Sequence, residues 1–465
     1  MLYDFLDIDK NNNILLYEQL YNKIINAINS DKFCKGDKLP SIRRLAEDLN
    51  ISRTTVETAY EQLCAEGYIN NQPKRGFFVE AEHNINKENI IKNQNTSNKP
   101  ITRIHNVIKY DFSSSSIDSQ YIDIKFWKRC VKDVLDKHYV ISSYGLPQGE
   151  LQLREALCNY SRNVRGVDAN VDNILIGAGT QTLLSVLLGI CRELGCGKDV
   201  AIEKGFFPQG EQIFSDFGFN LSPLKADKNG ITLDDTVKSR MLFVNSSGSI
   251  RGSAPIPINK RMEIIRHAEK NDAIIIEDDF NGELRYNSKP VPALQGMCSD
   301  RVVYIGSFSK LLLPSVRISY MVMPEGVAKI YRERQYNYNQ TSSKIEQLAL
   351  AQYIQSGRLE RQLRKLRKIY AIKSKLLSEC LNKSFGENSI IEVIETALCV
   401  RIKIDSPYSL EELESRAFNG GIKLGKCREK NGLKYFYLCF SGIETEKIPL
   451  AVEHLKNVWS YTNEH

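Results

Sequence analysis

The sequence predicts a chain of two modules: a small α+β winged helix-turn-helix over residues 1–79 and a larger α/β domain over residues 106–465. Three observations predict it. At 465 residues the chain exceeds what one ordinary core supports. Residues 80–105, EAEHNINKENIIKNQNTSNKPITRIH, are rich in Asn, Lys and Glu and poor in aromatics, which reads as a flexible, solvated linker. Beyond it, helical stretches alternate with short apolar runs, the order of an α/β fold with a mostly parallel sheet.

Composition narrows the class. The chain is 42% hydrophobic and 26% charged, as a soluble globular protein is. It has no apolar run of about 18 residues, so no membrane helix is expected. The start, MLYDFLDIDK, is acidic and lacks the basic and apolar regions of a signal peptide, so a cytoplasmic location is expected. The eleven cysteines form no Cys-x-x-Cys pair, which favours reduced thiols over disulfides or a metal site. Net charge is +7, but residues 1–79 hold ten Lys/Arg against eleven Asp/Glu. Any nucleic-acid footprint there must come from charge placement.

In the first module, LYEQLYNKIINAI places Leu16, Leu20, Ile24, Ile25 and Ile28 at helical spacing. GDKLP makes a turn. SIRRLAEDL is a second helix with Ser41 as N-cap after Pro40. After the tight turn NIS, RTTVETAYEQLCAEG is a third helix, capped by Ser52 and followed by Gly67. YINNQPKRGFFV reads as a two-stranded wing. This order is a winged helix-turn-helix. Its third helix would present Ser52, Arg53, Thr54 and Thr55 to the major groove of double-stranded DNA. Arg43 would clamp the backbone. Lys74, Arg75 and Gly76 on the wing would approach the minor groove, Gly76 letting the backbone come close.

In the second module, NILIGAG, KDVAIE, RMLFVNS, AIIIEDD and RVVYIGS read as buried strands. QTLLSVLLGICREL and NKRMEIIRHAEKN are helices between them, and residues 342–381 read as one long charged helix before a smaller α+β module. Lys310, in GSFSKLLLPSVRISY, has neighbours of a particular kind. Pyridoxal 5'-phosphate needs an amine, a carboxylate for its pyridine nitrogen, donors for its phosphate and an aromatic face for its ring. Lys310 offers the amine, and Asp278 ends an apolar strand. Ser307, Ser309 and Arg317 offer phosphate donors. The backbone N–H groups of Thr180 and Gln181 open a helix and can face an anion. Phe206 or Phe207 can stack on the ring.

The stretch LPSIRRLAEDLNISRTTVETAYEQLCAEGYI followed by KRGFFV resembles the GntR family of bacterial regulators, which implies a homodimer on paired half-sites of an operator. YGLPQGELQLREAL, GAGTQ, EDDFNGELRY, PALQG and GSFSKLLLPSVRISY resemble fold-type I aminotransferases. Together they resemble the MocR/GabR subfamily of GntR regulators. The resemblance implies that Lys310 is the Schiff-base lysine, that Asp278 pairs the ring nitrogen and that Arg317 holds phosphate. It also implies a head-to-tail dimer in which Tyr144 reaches the partner's phosphate site. The chain departs from the family at four places. Phe280 stands where a tyrosine donates to the cofactor's O3′. IRGSAP replaces a Pro-Thr-Gly loop, and Phe206 replaces the tyrosine of Pro-Gly-Tyr. Tyr437, in FYLCF, replaces the arginine that docks a substrate carboxylate, with Arg401 as a candidate substitute.

Three functions fit these residues. The first is a transcriptional regulator that senses an amine, an amino acid or pyridoxal phosphate itself. The second is a working aminotransferase with a regulatory DNA-binding module. The third is a DNA-binding protein on a cofactor-free dimerisation scaffold. The complete lysine–aspartate–arginine set disfavours the third, and Tyr437 and Phe280 disfavour the second.

Overall fold

The computed structural model describes residues 8–9, 14–30, 32–80, 108–113, 117–203, 207–227, 230–233, 236–248, 256–279, 281–287, 291–386, 389–430 and 432–459. The chain divides into two compact units, Met1–Ile104 and His105–His465. The expected linker lies, save for Glu80, outside the described residues.

The first unit runs α1 (Leu16–Asn29), α2 (Ile42–Asp48), α3 (Arg53–Ala65), β1 (Ile69–Gln72) and β2 (Gly76–Val79). The apolar stripe of α1 buries Leu20, Ile24 and Ile28 against Leu45 of α2 and Val56, Tyr60 and Leu63 of α3. Ser41 and Ser52 sit in extended backbone and accept the N–H groups of Arg44 and Thr55 at 3.3 and 3.1 Å. These caps start α2 and α3 where the hydroxyls fall in the sequence. The buried Tyr60 hydroxyl donates to the Pro40 carbonyl at 3.1 Å and ties α3 to the entry of α2. β1 and β2 pair antiparallel from Ile69↔Val79 to Gln72↔Gly76.

The second unit opens with β3 (Tyr110–Asp111). Its central sheet draws on β4 (Ile174–Gly177), β5 (Asp199–Ile202), β6 (Asn220–Pro223), β9 (Met241–Val244), β10 (Ile274–Asp278), β11 (Val302–Ser307) and β12 (Ser319–Val322). β7 (Lys225–Asp227) and β8 (Gly230–Thr232) form a side hairpin. The sheet order is β4-β12-β11-β10-β9-β5-β6, and only β12 runs against its neighbours. Near-continuous apolar strands such as MLFV and VVYI suit burial on both faces. Leu175, Ile202, Phe243, Ile276 and Ile305 meet the helix Thr180–Glu193 on one face. Leu242, Ile275 and Val302 meet the helix Ile258–Lys270 on the other.

The expected long charged helix is two helices, Lys344–Gln355 and Arg358–Phe385. Gly357 breaks it, with φ 67° and its N–H on the Ile354 carbonyl at 2.8 Å. A left-handed residue ends one helix and aims the next. The second helix packs with Ile448–Trp459 on one face of a smaller antiparallel sheet. That sheet is ordered β13 (Ser389–Ile394), β14 (Cys399–Ile404), β17 (Leu433–Cys439), β16 (Cys427–Lys430). β15 (Ile422–Lys423) pairs β3, and Phe112 then accepts the Cys439 N–H at 2.8 Å. Among the described residues no helix is long and apolar enough to cross a membrane, and no cluster of His, Cys, Asp and Glu could hold a metal ion.

The deepest ionic contact is Arg165–Asp279, both side chains fully buried, with Nε to Oδ2 at 2.5 Å. Arg165 also donates to Ser247 Oγ at 2.9 Å and to the Val291 carbonyl. It therefore ties the helix Leu151–Arg165 to the loops beyond β9 and β10. Removing one member of such a pair strands the other charge. Arg165→Met should lower stability by about 3–5 kcal/mol, read as the fall in chemical denaturation midpoint. A loss below about 1 kcal/mol would contradict this account of the pair.

Candidate functional site

In the first unit, Ser52, Arg53 and Thr54 are exposed at the start of α3. The hydroxyl of Ser52 lies 2.8 Å from that of Thr54 and 2.7 Å from that of Thr55. The three hydroxyls form one linked cluster beside the exposed guanidinium of Arg53. Arg43 on α2 is exposed and pairs with Glu47 one turn on, at 3.0 Å. Such a surface pair holds by at most about 1 kcal/mol, so a phosphate can displace it. On the wing, Lys74 (φ 64°) and Gly76 (φ 106°) make the left-handed turn between β1 and β2. Arg75 stacks on the Phe78 ring at 5.5 Å, and Lys38 covers the same ring at 5.8 Å. Lys38 joins this basic tip through a bridge to Phe78, a pairing that lies 40 residues apart in sequence and carries no local signal.

In the second unit Asp278, Ser307, Ser309, Lys310, Arg317 and the Thr180–Gln181 turn lie toward the carboxyl edge of the central sheet, where α/β folds bind ligands. Gly177, Ser319 and Ser307 stand side by side in register across β4, β12 and β11. The turn after β4 leads into the helix Thr180–Glu193, so the first-turn N–H groups of Thr180 and Gln181 open toward this edge. Arg317 has left-handed backbone, φ 55°. Its guanidinium lies so close to Gly179 (φ +96°) that a Cβ there would sit 2.7 Å from Nη2. The backbone conformation thus favours glycine at 179, and a Cβ there would also push on the Arg317 guanidinium. The hydroxyls of Ser307 and Ser309 lie 3.1 Å apart. Two hydroxyls, a guanidinium and a helix N-terminus thus share one edge of the sheet, and these are the donor types that an anion takes. The Ala178 N–H beside it donates to Thr341 Oγ1 at 3.0 Å, a contact from 163 residues away that sequence spacing does not show.

Lys310 follows β11 and is 9% exposed. Burial pushes its amine below the ordinary lysine range, partly opposed by Cys439 and Asp111. Three acids end β10, and strand alternation separates them. Glu277 accepts the N–H groups of Leu294 and Gln295 at 2.9 and 3.0 Å. Asp279 takes Arg165, the Tyr304 hydroxyl at 2.8 Å and the Ser247 hydroxyl at 2.6 Å. Asp278 points to the opposite face, is 5% exposed, and has no hydrogen-bond partner among the described residues. Burial, then the neighbouring Asp279, pushes its carboxyl from 3.8 up to about 7.

Phe206 and Phe280 lie outside the described residues, as does the IRGSAP loop. Phe207 packs against Phe243 in the core, ring centroids 6.4 Å apart. Tyr144 is wholly exposed on its own chain, in a loop whose backbone Lys344 and Gln340 hold through Tyr144, Leu146 and Pro147 carbonyls. Tyr437 is buried on the inner face of the small sheet beside Cys439, and Arg401 stands opposite it on β14. Arg401 is ion-paired to Glu392.

The Asp278 carboxyl has a stability signature. Its folded-state value is raised, so the folded chain keeps this proton up to about pH 7 while the unfolded chain releases it near 3.8. Its contribution to stability is therefore lost as pH rises from about 4 to 7 and stays lost above. In protein freed of small molecules, Asp278→Asn should match the parent's melting temperature near pH 4 and exceed it at pH 8. An equal gap at both pH values would show that Asp278 does not titrate in this window.

Residues 16–79 match the family of bacterial regulatory proteins called gntR. Over its whole length the chain resembles curated regulators. It is 32% identical to the uncharacterized HTH-type transcriptional regulator YdeL of Bacillus subtilis over 96% of this chain and 97% of that protein. It is 28% identical to the HTH-type pyridoxine biosynthesis transcriptional regulator PdxR of Corynebacterium glutamicum, over 86% of each. It is also 28% identical to the probable rhizopine catabolism regulatory protein MocR of Rhizobium meliloti, over 80% of this chain and 78% of that one. The fold is that of aminotransferases. An archaeal alanine:glyoxylate aminotransferase superposes with TM-score 0.67 at 18% identity, over 80% of this chain and 93% of that one. The α-aminoadipate aminotransferase LysN of Thermus thermophilus gives 0.65 at 19% identity, over 76% and 92%. A gntR-type winged helix joined to an aminotransferase fold, in a chain whose full-length relatives are transcriptional regulators, places this protein in the MocR/GabR-type branch of the GntR regulators.

Proposed function

We propose that this transcriptional regulator binds pyridoxal phosphate at Lys310 and reads an amine through it. The observation that carries the reading is Asp278: a buried carboxyl without a hydrogen-bond partner among the described residues, at the same sheet edge as Lys310 and the Arg317 cradle. The residues fit the cofactor. Arg317, Ser307, Ser309 and the N–H groups of Thr180 and Gln181 would hold its phosphate, and Asp278 would hold a proton on its ring nitrogen. When bound, the cofactor supplies an aldehyde that captures amines and a conjugated ring whose absorption reports the capture. The depressed basicity of Lys310 keeps more of its nitrogen unprotonated and nucleophilic. Phe206, the aromatic of the EKGFF stretch, would cover the ring.

A homodimer completes the reading. Leu135, Tyr139, Ile141, Tyr144, Leu146 and Leu151 are large, apolar and exposed within one stretch of chain. Such a patch marks a contact surface. Across it the Tyr144 hydroxyl would reach the partner's cradle. On the DNA side, Arg53 with Ser52, Thr54 and Thr55 would enter the major groove, Ser41 and Arg43 would meet the backbone, and Arg75 and Gly76 would follow the minor groove.

The second reading, a working aminotransferase, is favoured by the fold alone. Tyr437 speaks against it, because turnover needs the substrate held by its carboxylate as well as by its amine. Purified protein should therefore show the visible absorption band of bound cofactor, fixed by borohydride onto Lys310 and lost in Lys310→Ala. A keto-acid coupled assay across the common amino acids should stay near background. A full band in Lys310→Ala would refute the assignment, and sustained turnover would move the protein to the enzyme reading.

Operator binding should weaken steeply with salt, with a log–log slope of about one per phosphate contact. Arg43→Ala should lower that slope by about one. Arg53→Ala should cost on the order of 1–3 kcal/mol if the guanidinium reads a base. Unchanged affinity in both variants would displace α3 from the groove.

A further inference from the structure

Eleven cysteines are scattered through the sequence, and two of them meet across the small sheet. Cys399 opens β14, Cys439 closes β17, and the antiparallel register sets them directly opposite each other. Both belong to one small apolar cluster with Ile394, Ala397 and Tyr437. Antiparallel partners come in two kinds, those that exchange backbone hydrogen bonds and those that do not. Cys439 gives its N–H to the Phe112 carbonyl at 2.8 Å, away from β14. The next pair in the ladder takes the cross-strand bond instead, Phe440 donating to the Leu398 carbonyl at 3.1 Å. Cys399 and Cys439 are therefore a non-bonded pair. Such partners have Cα atoms about 4.5 Å apart and their side chains at closest approach. A disulfide joins Cα atoms about 4.4–6.8 Å apart, and this pair falls inside that range.

The pair stands at a joint. Cys399 follows the short turn Glu395–Ala397, and the Cys439 sulfur lies 4.0 Å from the Ala397 carbonyl. Glu395, on that turn, accepts the N–H groups of Tyr286 and, at 2.6 Å, Asn287, and pairs with Arg285 at 3.4 Å. These three residues belong to the stretch that leaves β10 beyond Asp278. A bond between Cys399 and Cys439 would fix the root of the turn through which the small sheet holds that stretch.

The two thiols differ. The Cys399 thiol donates to the Cys439 sulfur, which raises Cys399 above the usual thiol range and, against burial, holds Cys439 below it; the charge of Lys310 adds to the lowering. Cys439 is thus the better thiolate and the attacking group. It is 6% exposed, and Cys399 is wholly buried. Only a reagent near the size of water reaches it, which admits hydrogen peroxide and excludes a peptide disulfide.

We propose that Cys399 and Cys439 are an oxidation site, a thiol pair that hydrogen peroxide closes into a disulfide bracing the Glu395 turn. The Cys439 thiolate attacks one peroxide oxygen. The O–O bond breaks, and the departing hydroxide leaves as water with the proton that the thiol released. The Cys399 sulfur then attacks the sulfenic acid on Cys439. The S–O bond breaks, the S–S bond forms, and hydroxide leaves with the Cys399 proton as a second water. Two thiols lose two electrons and two protons, and one peroxide is reduced to two waters.

The test treats full-length protein with hydrogen peroxide, blocks the remaining thiols under denaturing conditions and maps them by mass spectrometry. Cys399 and Cys439 should appear in one cross-linked pair of peptides, released by dithiothreitol, while glutathione disulfide at the same concentration should leave both thiols free. Oxidation should also slow amide exchange at Tyr286 and Asn287 several-fold, and Cys399→Ala and Cys439→Ala should each abolish that slowing. A second pair, Cys191 and Cys196, lies close at a helix end, with the Cys196 N–H on the Cys191 carbonyl at 3.2 Å. Cys191→Ala should change neither result. Cys399 and Cys439 recovered as free thiols while the exposed Cys34 or the Cys191–Cys196 pair is oxidised would overturn the site, and so would equal closure by glutathione disulfide. A disulfide that forms without slowing the two amides would overturn its action on the turn.

Discussion

Three carboxylates in a row close the central strand of the large unit, and each must be answered differently for the strand to be buried. Glu277 is answered by backbone N–H groups, and Asp279 by Arg165, Tyr304 and Ser247. Asp278 is answered by nothing the described residues supply. The pleat makes this division. It sends the outer pair toward one set of donors and the middle acid toward the other face. The Arg165–Asp279 pair thus does more than join a helix to two loops. It takes up the charge of Asp279, and leaves the Asp278 carboxyl without a counter-charge among the described residues, at the end of the strand next to β11. Under the proposed reading, the carboxyl pushed up to about 7 is the cost of a site prepared for a ring nitrogen, and a bound cofactor would remove it.

The first unit solves a different problem: reaching DNA from residues 1–79, which hold ten Lys/Arg against eleven Asp/Glu. Its charges are sorted by position. The start of α3 carries a guanidinium among hydroxyls, and the wing tip gathers Lys38 and Arg75 over one ring. A local field of this kind can guide a polyanion although the unit's total charge is not positive.

The readable parts of the sequence were those whose chemistry is local. Caps at Ser41 and Ser52, the strand runs, and the order of Lys310, Asp278 and Arg317 all follow from neighbours within a few residues. The structure brings Ser307, Ser309, Arg317 and the Thr180 turn to one edge of the sheet. What was not readable depends on pairing over long distances. Arg165 lies 114 residues from Asp279. Arg428 reaches Tyr437 only because β16 and β17 are adjacent, and nothing around CREK marks that contact. The sequence pattern does not mark the break at Gly357, because one glycine in a long amphipathic pattern is tolerated more often than it ends a helix. Phe206, Phe280 and the IRGSAP loop, three of the four departures from the family pattern, fall outside the described residues and keep only their sequence argument.

The two units make sense in one chain if binding at one changes binding at the other. Linkage then requires reciprocity: whatever factor an amine imposes on operator affinity, operator DNA must impose on amine affinity. The most direct measurement is a double titration of the full-length, cofactor-loaded protein. Operator affinity is measured across a series of concentrations of an amine that shifts the cofactor's absorption band, and the affinity for that amine with and without operator. The account predicts one coupling factor, equal in both directions and absent in Lys310→Ala. Operator affinity that is the same at every amine concentration, with amine binding intact, would contradict it.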